Sequence, residues 1–304
     1  LLFYLDTFNI PLPEGHRFPG GKYRMLRDKL VQEGIASEAQ LIASTKADLA
    51  DIAAAHDGSY VEAVLAGSLN AKEQRQIGLP WSQFLVERTF ATMGGAISAA
   101  KTALANGFSA QLAGGTHHAH GAFGAGYCVF NDFAVVALKA LREGWVDRIA
   151  IVDLDVHQGD GNAAILGSRR DVFILDLFCE KNYPFRKVAP HLAAPLPAGL
   201  GDDDYLARLA YHLEAAIAFR PGLVLYQAGV DPLCHDALGH LDLSYEGLAS
   251  RDRIVFETCK RAGIPVSLAI GGGYSNPITS SVRAYANTFR VAKSVYGFAE
   301  RPRE

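Results

Sequence analysis

Short apolar runs rich in β-branched residues recur along this chain, each close to a longer stretch of helical character. Five of them fall at 108–114 (FSAQLAG), 148–156 (RIAIVDLDV), 171–178 (DVFILDLF), 222–228 (GLVLYQA) and 264–270 (IPVSLAI). Their hydrophobicity is nearly continuous rather than alternating, as in parallel strands covered on both faces. Helical patterns lie near 84–106, 131–144, 203–219 and 245–262. Parallel strands cannot be joined by a hairpin, so this alternation predicts βαβ units and an α/β fold. The last helix is introduced by Ser244. Gly247 stands where a capping box would need Glu or Gln, and Gly263 is placed to end the helix.

A chain of 304 residues, 49% hydrophobic and 20% charged, can bury a large core. The formal charge of -3 and the lack of a basic run leave no footprint for direct nucleic-acid binding. Cys128, Cys179, Cys234 and Cys259 are far apart with no C-x-x-C pair, which points to a reducing, cytoplasmic setting. No apolar run reaches the length of a membrane span. The opening LLFYLDTF carries Asp6 and reads as a first strand rather than a signal peptide. The first residue is Leu1, so where the natural chain begins stays open. Residues 11–23 are loop-like, 24–86 mainly helical, and the Pro-rich 184–197 (PFRKVAPHLAAPLP) reads as a long loop. The same alternation resumes after it, so 1–304 is expected to form one domain.

In an open parallel sheet, ligands bind beyond the carboxyl ends of the strands. Four predicted strands run into polar or glycine-rich motifs there: GGTHHAH (114–120), DLDVHQGDG (153–161), AGVDP (228–232) and GGGY (271–274). Residues two apart on an extended strand share a face, so Asp153, Asp155 and His157 project together, a carboxylate–imidazole set suited to a divalent ion. Read alone, the same segment could be a solvated strand end. His117 and His118, alone, could be a polar turn; beside spare carboxylates they become candidates for acid–base work. Asp231 is a third metal ligand or a helix cap. With Asp155 and His157 it would leave a coordination position for water, as catalytic zinc requires. Tyr274 follows three glycines and can donate to a developing oxyanion; no G-x-G-x-x-G spacing favours a phosphate turn instead.

GGTHHAH, GYCVFND, DLDVHQGDG, AGVD and GGGY, in this order over roughly 108–280, resemble the zinc-dependent histone deacetylase family. PLPEGHRFP with the following KYRMLR resembles its bacterial members related to class IV deacetylases. The resemblance implies a single-domain arginase–deacetylase fold with an eight-stranded parallel sheet flanked by helices. It implies one catalytic zinc at Asp155, His157 and Asp231, with the choice between Zn²⁺ and Fe²⁺ as the physiological metal left open. It implies a catalytic pair His117 and His118 with Asp153 and Asp160 as their respective carboxylates, and Tyr274 as the transition-state phenol. It implies a substrate tunnel formed by Gly126, Tyr127, Tyr183, Leu238, Gly272 and Gly273. It also implies a potassium site with Asp176 beside the backbone oxygens of Asp153, Asp155 and His157. Tyr127, Tyr183 and Gln158 depart from the family's usual residues, which leaves the catalytic groups in place and the substrate in question.

The implied reaction is metal-assisted hydrolysis of an acyl-amine bond. His118 shuttles the proton and His117 assists electrostatically. The expected partner is an acylated lysine peptide, acetylated or carrying a long fatty-acyl chain, walled by 183–197 and 11–20. A small acylated amine such as an acetylpolyamine would use the same site. A dinuclear, arginase-like site would want further carboxylates, yet Pro232 and Leu233 follow Asp231. A silent binding module would be expected to lack Tyr274 or a ligand, and all are present. Oligomeric state is open.

Overall fold

In the computed structural model of the chain, which describes residues 1–8 and 10–298, eight parallel strands form a single sheet between layers of helix. The expected domain over 1–304 extends past these residues; 299–304 lie outside the described part. In chain order the elements are β1 Leu2–Tyr4, α1 Lys22–Gln32, β2 Leu41–Ala43, α2 Leu49–Ala53, α3 Gly58–Ala66, α4 Ala71–Ile77, α5 Gln83–Asn106 and β3 Phe108–Gln111. There follow α6 Asp132–Arg142, β4 Ile149–Asp153, α7 Asp160–Leu166, β5 Val172–Cys179, β6 Leu192–Leu196, α8 Asp202–Ala218, β7 Leu223–Gln227, α9 Tyr245–Arg261, β8 Val266–Ala269 and α10 Thr279–Tyr296. The sheet order is β2-β1-β3-β8-β7-β4-β5-β6, so the four strands that end in the polar motifs, β3, β8, β7 and β4, are consecutive neighbours.

The central strands are buried throughout, and Ile149–Val152 and Leu223–Tyr226 have no exposed surface. This is why they read as continuous apolar runs. Ser244 Oγ accepts from Gly247 N at 2.9 Å at the start of α9, and Gly263 adopts φ +68° after its end. A left-handed residue there suits glycine, which has no Cβ to clash.

Two expectations about elements need correction. Residues 184–197 are not a long loop: Leu192–Leu196 form β6, an edge strand paired only with β5. Its Pro195 cannot donate to a ladder, which an edge strand tolerates. Residues 24–86 are mainly helical, as expected, and add the short β2, which pairs only with β1 at the other edge. Predicted strands at 108–114 and 148–156 stop earlier, at Gln111 and Asp153, because the chain turns there to present its side chains to the site.

Candidate active site

Asp155, His157 and Asp231 bring three potential ligand atoms within 4.8 Å of one another. His157 Nδ1 lies 3.1 Å from both Asp155 Oδ1 and Asp231 Oδ2. The remaining carboxylate oxygens are held by the backbone: Gly272 N donates to Asp155 Oδ2 at 2.7 Å, and Val156 N to Asp231 Oδ1 at 3.0 Å. Asp231 precedes no helix, so it is not a cap. Both acids are buried. Burial first, then the Asp155 charge, pushes the Asp231 carboxyl up to about 7. Two buried carboxylates and an imidazole converging from fixed directions suit a divalent cation, which would supply the missing positive charge.

Facing this cluster are two imidazole–carboxylate pairs. His117 Nδ1 lies 2.8 Å from Asp153 Oδ2, and His118 Nδ1 lies 2.7 Å from Asp160 Oδ1. The rings are neighbours, 4.1 Å between centroids, yet their environments push them apart. Burial works against charge on His117, but Asp153, with Asp155 and Asp176 behind it, raises its pKa to about 10. Burial and then the His117 charge lower His118 to about 4, despite Asp160. One imidazole is thus set to stay cationic and the other neutral. Asp160 is shared: His120 Nε2 approaches its second oxygen at 2.9 Å. Burial opposes its charge, but these two histidines hold its carboxyl well below the usual range.

Tyr274 is reached by a loop that must pass close to Asp155 and Asp231. A Cβ at Gly272 would collide with Asp231 Oδ2. Asp236 Oδ2 accepts from Tyr274 N at 2.6 Å, fixing the loop. Burial, then the charges of Tyr23, Asp155 and Asp231, raises the Tyr274 pKa far above its ordinary value, so the phenol keeps its proton and remains a donor. Asp176, in register with Asp153 across β4 and β5, has its Oδ1 buried and unbonded among the described residues.

A cavity of about 510 Å³ joins these groups to the surface. Gly126, Tyr127, Tyr183, Leu238 and Gly272 line it. Gly126 adopts φ +55°, and a Cβ on it would press on His118 and reach Tyr183 at 3.4 Å, so glycine keeps this passage open. The Tyr127 ring turns toward Phe18 (5.3 Å) and Tyr274 (6.0 Å). Gly273 corrects the expected tunnel: it is not among the lining residues, because its backbone turns toward Tyr285 and its carbonyl accepts from Lys22 Nζ at 3.1 Å.

Sequence reasoning missed several residues that shape the site. Asn182 comes within 3.4 Å of His157 Nε2 and ties the rim by donating to Leu238 O at 2.6 Å. Nothing in a lone Asn beside Tyr183 signals this. His120 could have been found as the third histidine of HHAH. Lys22, in KYRMLR, is buried against Tyr274, its Nζ 4.8 Å from the ring centroid.

The histone deacetylase domain family matches residues 16–290 of this chain. An uncharacterized protein of Picosynechococcus is 42% identical over 294 residues, 96% of this chain and 98% of that one. Histone deacetylase 2 of Arabidopsis thaliana is 31% identical over 300 residues, covering 94% of this chain and 77% of that protein. Among solved structures, an HDAC homolog complexed with SAHA superposes with a TM-score of 0.81 at 25% identity, over 98% of this chain and 84% of the other.

Proposed function

Because the chain belongs to the histone deacetylase family, and is thereby a hydrolase of acyl-amine bonds, we propose that it is a zinc-dependent deacylase of acylated lysine side chains. The observation that carries this reading is the pairing of His117 and His118, each anchored through Nδ1 by a buried carboxylate, opposite the Asp155–His157–Asp231 cluster. Two imidazoles whose surroundings push their pKa values apart can take different roles, one moving a proton and the other holding a charge.

When bound, the metal acts as a Lewis acid on the amide carbonyl and lowers the pKa of water. His118 accepts the proton of the attacking water at Nε2 and delivers it to the leaving amine, while Asp160 holds its Nδ1–H. His117 stays charged beside Asp153 and stabilises the negative charge that develops. Tyr274 donates its phenolic hydrogen to the carbonyl oxygen as it becomes an oxyanion. A potassium ion beside Asp176 belongs to the same reading, supported by the orphaned Asp176 Oδ1. So does a cytoplasmic setting, supported by four free cysteines. No helix among the described residues is long and apolar enough to cross a membrane.

Phe185, 91% exposed at the mouth, offers a surface on which a peptide can rest and favours lysine in a peptide over a free polyamine. The cavity is lined by the buried apolar residues Leu85 and Met93 as well as by the reacting groups, which supports acyl groups longer than acetyl. Its walls include Phe18 and Tyr183 but not 192–196, which lie in β6. A panel of acetyl-, octanoyl- and myristoyl-lysine peptides of one sequence, with an acetylpolyamine, tests the substrate. Each buried methylene can add about 0.8 kcal/mol; acetyl preferred by tenfold or more would remove the long-acyl part. For the metal, Asp231→Ala is expected to lose bound zinc and activity together while staying soluble. Retained activity without metal would overturn the reading.

A further inference from the structure

Five residues that line the cavity are exposed and so mark its mouth: Arg75, Gln76, Lys181, Phe185 and His240. Arg75 and Lys181 are cations, and none of the five is an acid. Neither cation is ion-paired among the described residues. Nearby acids are engaged elsewhere. Glu73 Oε2 accepts from Asn70 N at 2.8 Å, and Asp236 accepts from the backbone N–H groups of Leu238, Gly239 and Tyr274 at 2.9, 3.1 and 2.6 Å. Glu180 does not line the cavity, and Asp155 and Asp231, which do, are buried beside His157. The whole chain has a formal charge of -3, so a mouth with only cations runs against its overall balance. Residues 181–187 (KNYPFRK) repeat the pattern, with three cations and no acid. This loop is braced: Lys187 Nζ donates to Asn182 O and Pro184 O at 2.5 and 2.7 Å, and Asn182 Nδ2 donates to Leu238 O at 2.6 Å. It presents Phe185, 91% exposed, beside the exposed Arg186. An aromatic ring among cations on a fixed loop has the makeup of an interface anchor.

The lysine-deacylase reading, on which this inference rests, puts the acylated side chain in the cavity and the rest of the peptide across the mouth. An acylated lysine is uncharged, so the rim cations act on its neighbours in the peptide. We propose that Arg75 and Lys181, extended by Arg186 beside Phe185, form a docking surface for the acidic flanks of an acyl-lysine segment, with Asp or Glu close in sequence to the modified lysine. Charge complementarity at an exposed rim acts mainly on encounter rate and partner choice, and salt weakens it. The same field disfavours an acetylpolyamine, whose remaining amines are cationic. It also repels the ammonium group that deacylation leaves on the lysine.

The test uses the metal-loaded enzyme and acyl-lysine peptides of one length that carry Glu, Gln or Lys at the two positions on each side of the modified residue. At low salt kcat/KM is expected to be about tenfold higher for the Glu peptide than for the Lys peptide, with Gln in between, since single exposed pairs are weak and several act together. High salt should shrink this ratio. Arg75→Glu and Lys181→Glu should each lower it several-fold, and the double variant should abolish or invert it. A ratio between peptides cancels any general loss of activity. Binding of the same peptides, labelled and read by fluorescence polarisation, reports docking without turnover. Equal kcat/KM and equal binding for the three peptides would overturn the docking surface and leave the deacylase reading standing. So would a Glu preference that the double variant retains in full. Should the double variant not fold, the single variants decide: unchanged ratios in both overturn the surface, and a several-fold fall in either supports it. If no peptide is cleaved, yet wild type binds the Glu peptide more tightly than the charge-reversed variants do, the deacylase reading fails and the surface stands.

Discussion

His117 and His118 are adjacent in the chain and differ mainly in what surrounds them. His117 is ringed by Asp153, Asp155 and Asp176, whereas His118 has Asp160 on one side and the His117 charge on the other. This asymmetry orders two variants. His118→Ala removes the proposed proton shuttle and is expected to lower kcat by about 10²–10⁴. His117→Ala should retain more activity, and the opposite ranking would exchange the roles. Tyr274→Phe deletes one hydroxyl and little volume; kcat is expected to fall about 10²–10³ with metal content unchanged. Full activity in that variant would make the phenol structural. The identities of these residues were legible in the motifs. That the two imidazoles prefer opposite charge states was not, because it depends on which carboxylates the fold packs around each ring.

Elements with a strong apolar signature could be read directly: β3, β4, β5, β7 and β8, and helices α5, α6, α8 and α9. The edge strands β2 and β6 could not. They are short, β2 having three residues and β6 a proline, and what defines them is the pairing partner rather than their own pattern. A similar tertiary link ties α6 to α2. Asp51 accepts from Lys139 Nζ at 2.9 Å and from Arg142 at 2.7 Å. Burial works against its charge, but these bonds outweigh it and hold the carboxyl below its ordinary 3.8. Asp51→Ala is expected to cost roughly 1–2 kcal/mol, read as a lowered denaturation midpoint, since the bonds are charged but Arg142 is partly exposed. A folded-state pKa below the unfolded one stabilises the fold above pH 3.8, and that contribution is lost as pH falls through the folded value. The gap between wild type and Asp51→Ala should therefore close in acid; a gap that persists unchanged would deny the ion pair its role.

At the scale of the molecule, the sheet order sets β3, β8, β7 and β4 side by side, so motifs up to 157 residues apart in sequence, 117 and 274, face one cavity. The cost of this convergence is a cluster of buried carboxylates at its centre. A divalent ion bound there, as proposed, would relieve that repulsion and stabilise the folded state by mass action. Complete metal removal by a chelator should therefore lower the melting temperature, and added zinc should restore it. A melting temperature unchanged after removal would mean that the cluster is stable without the ion.

The sequence alone determined the fold class and the residues proposed to react. A buried parallel strand must be apolar along its whole length, and hydrolytic chemistry at a metal needs particular residue types at strand ends, so both leave local signatures. Only the tertiary structure decided the role of residues whose meaning comes from distant neighbours. Arg75 is one residue in an ordinary helical pattern until it is found exposed at the cavity mouth with Lys181, without an ion-pair partner among the described residues. Gly273 looks like Gly272 in the motif, yet one abuts Asp231 and the other turns to Lys22 and Tyr285. Charge compensation and close approach depend on distance in space, and spacing along the chain does not encode that distance once the connection is long.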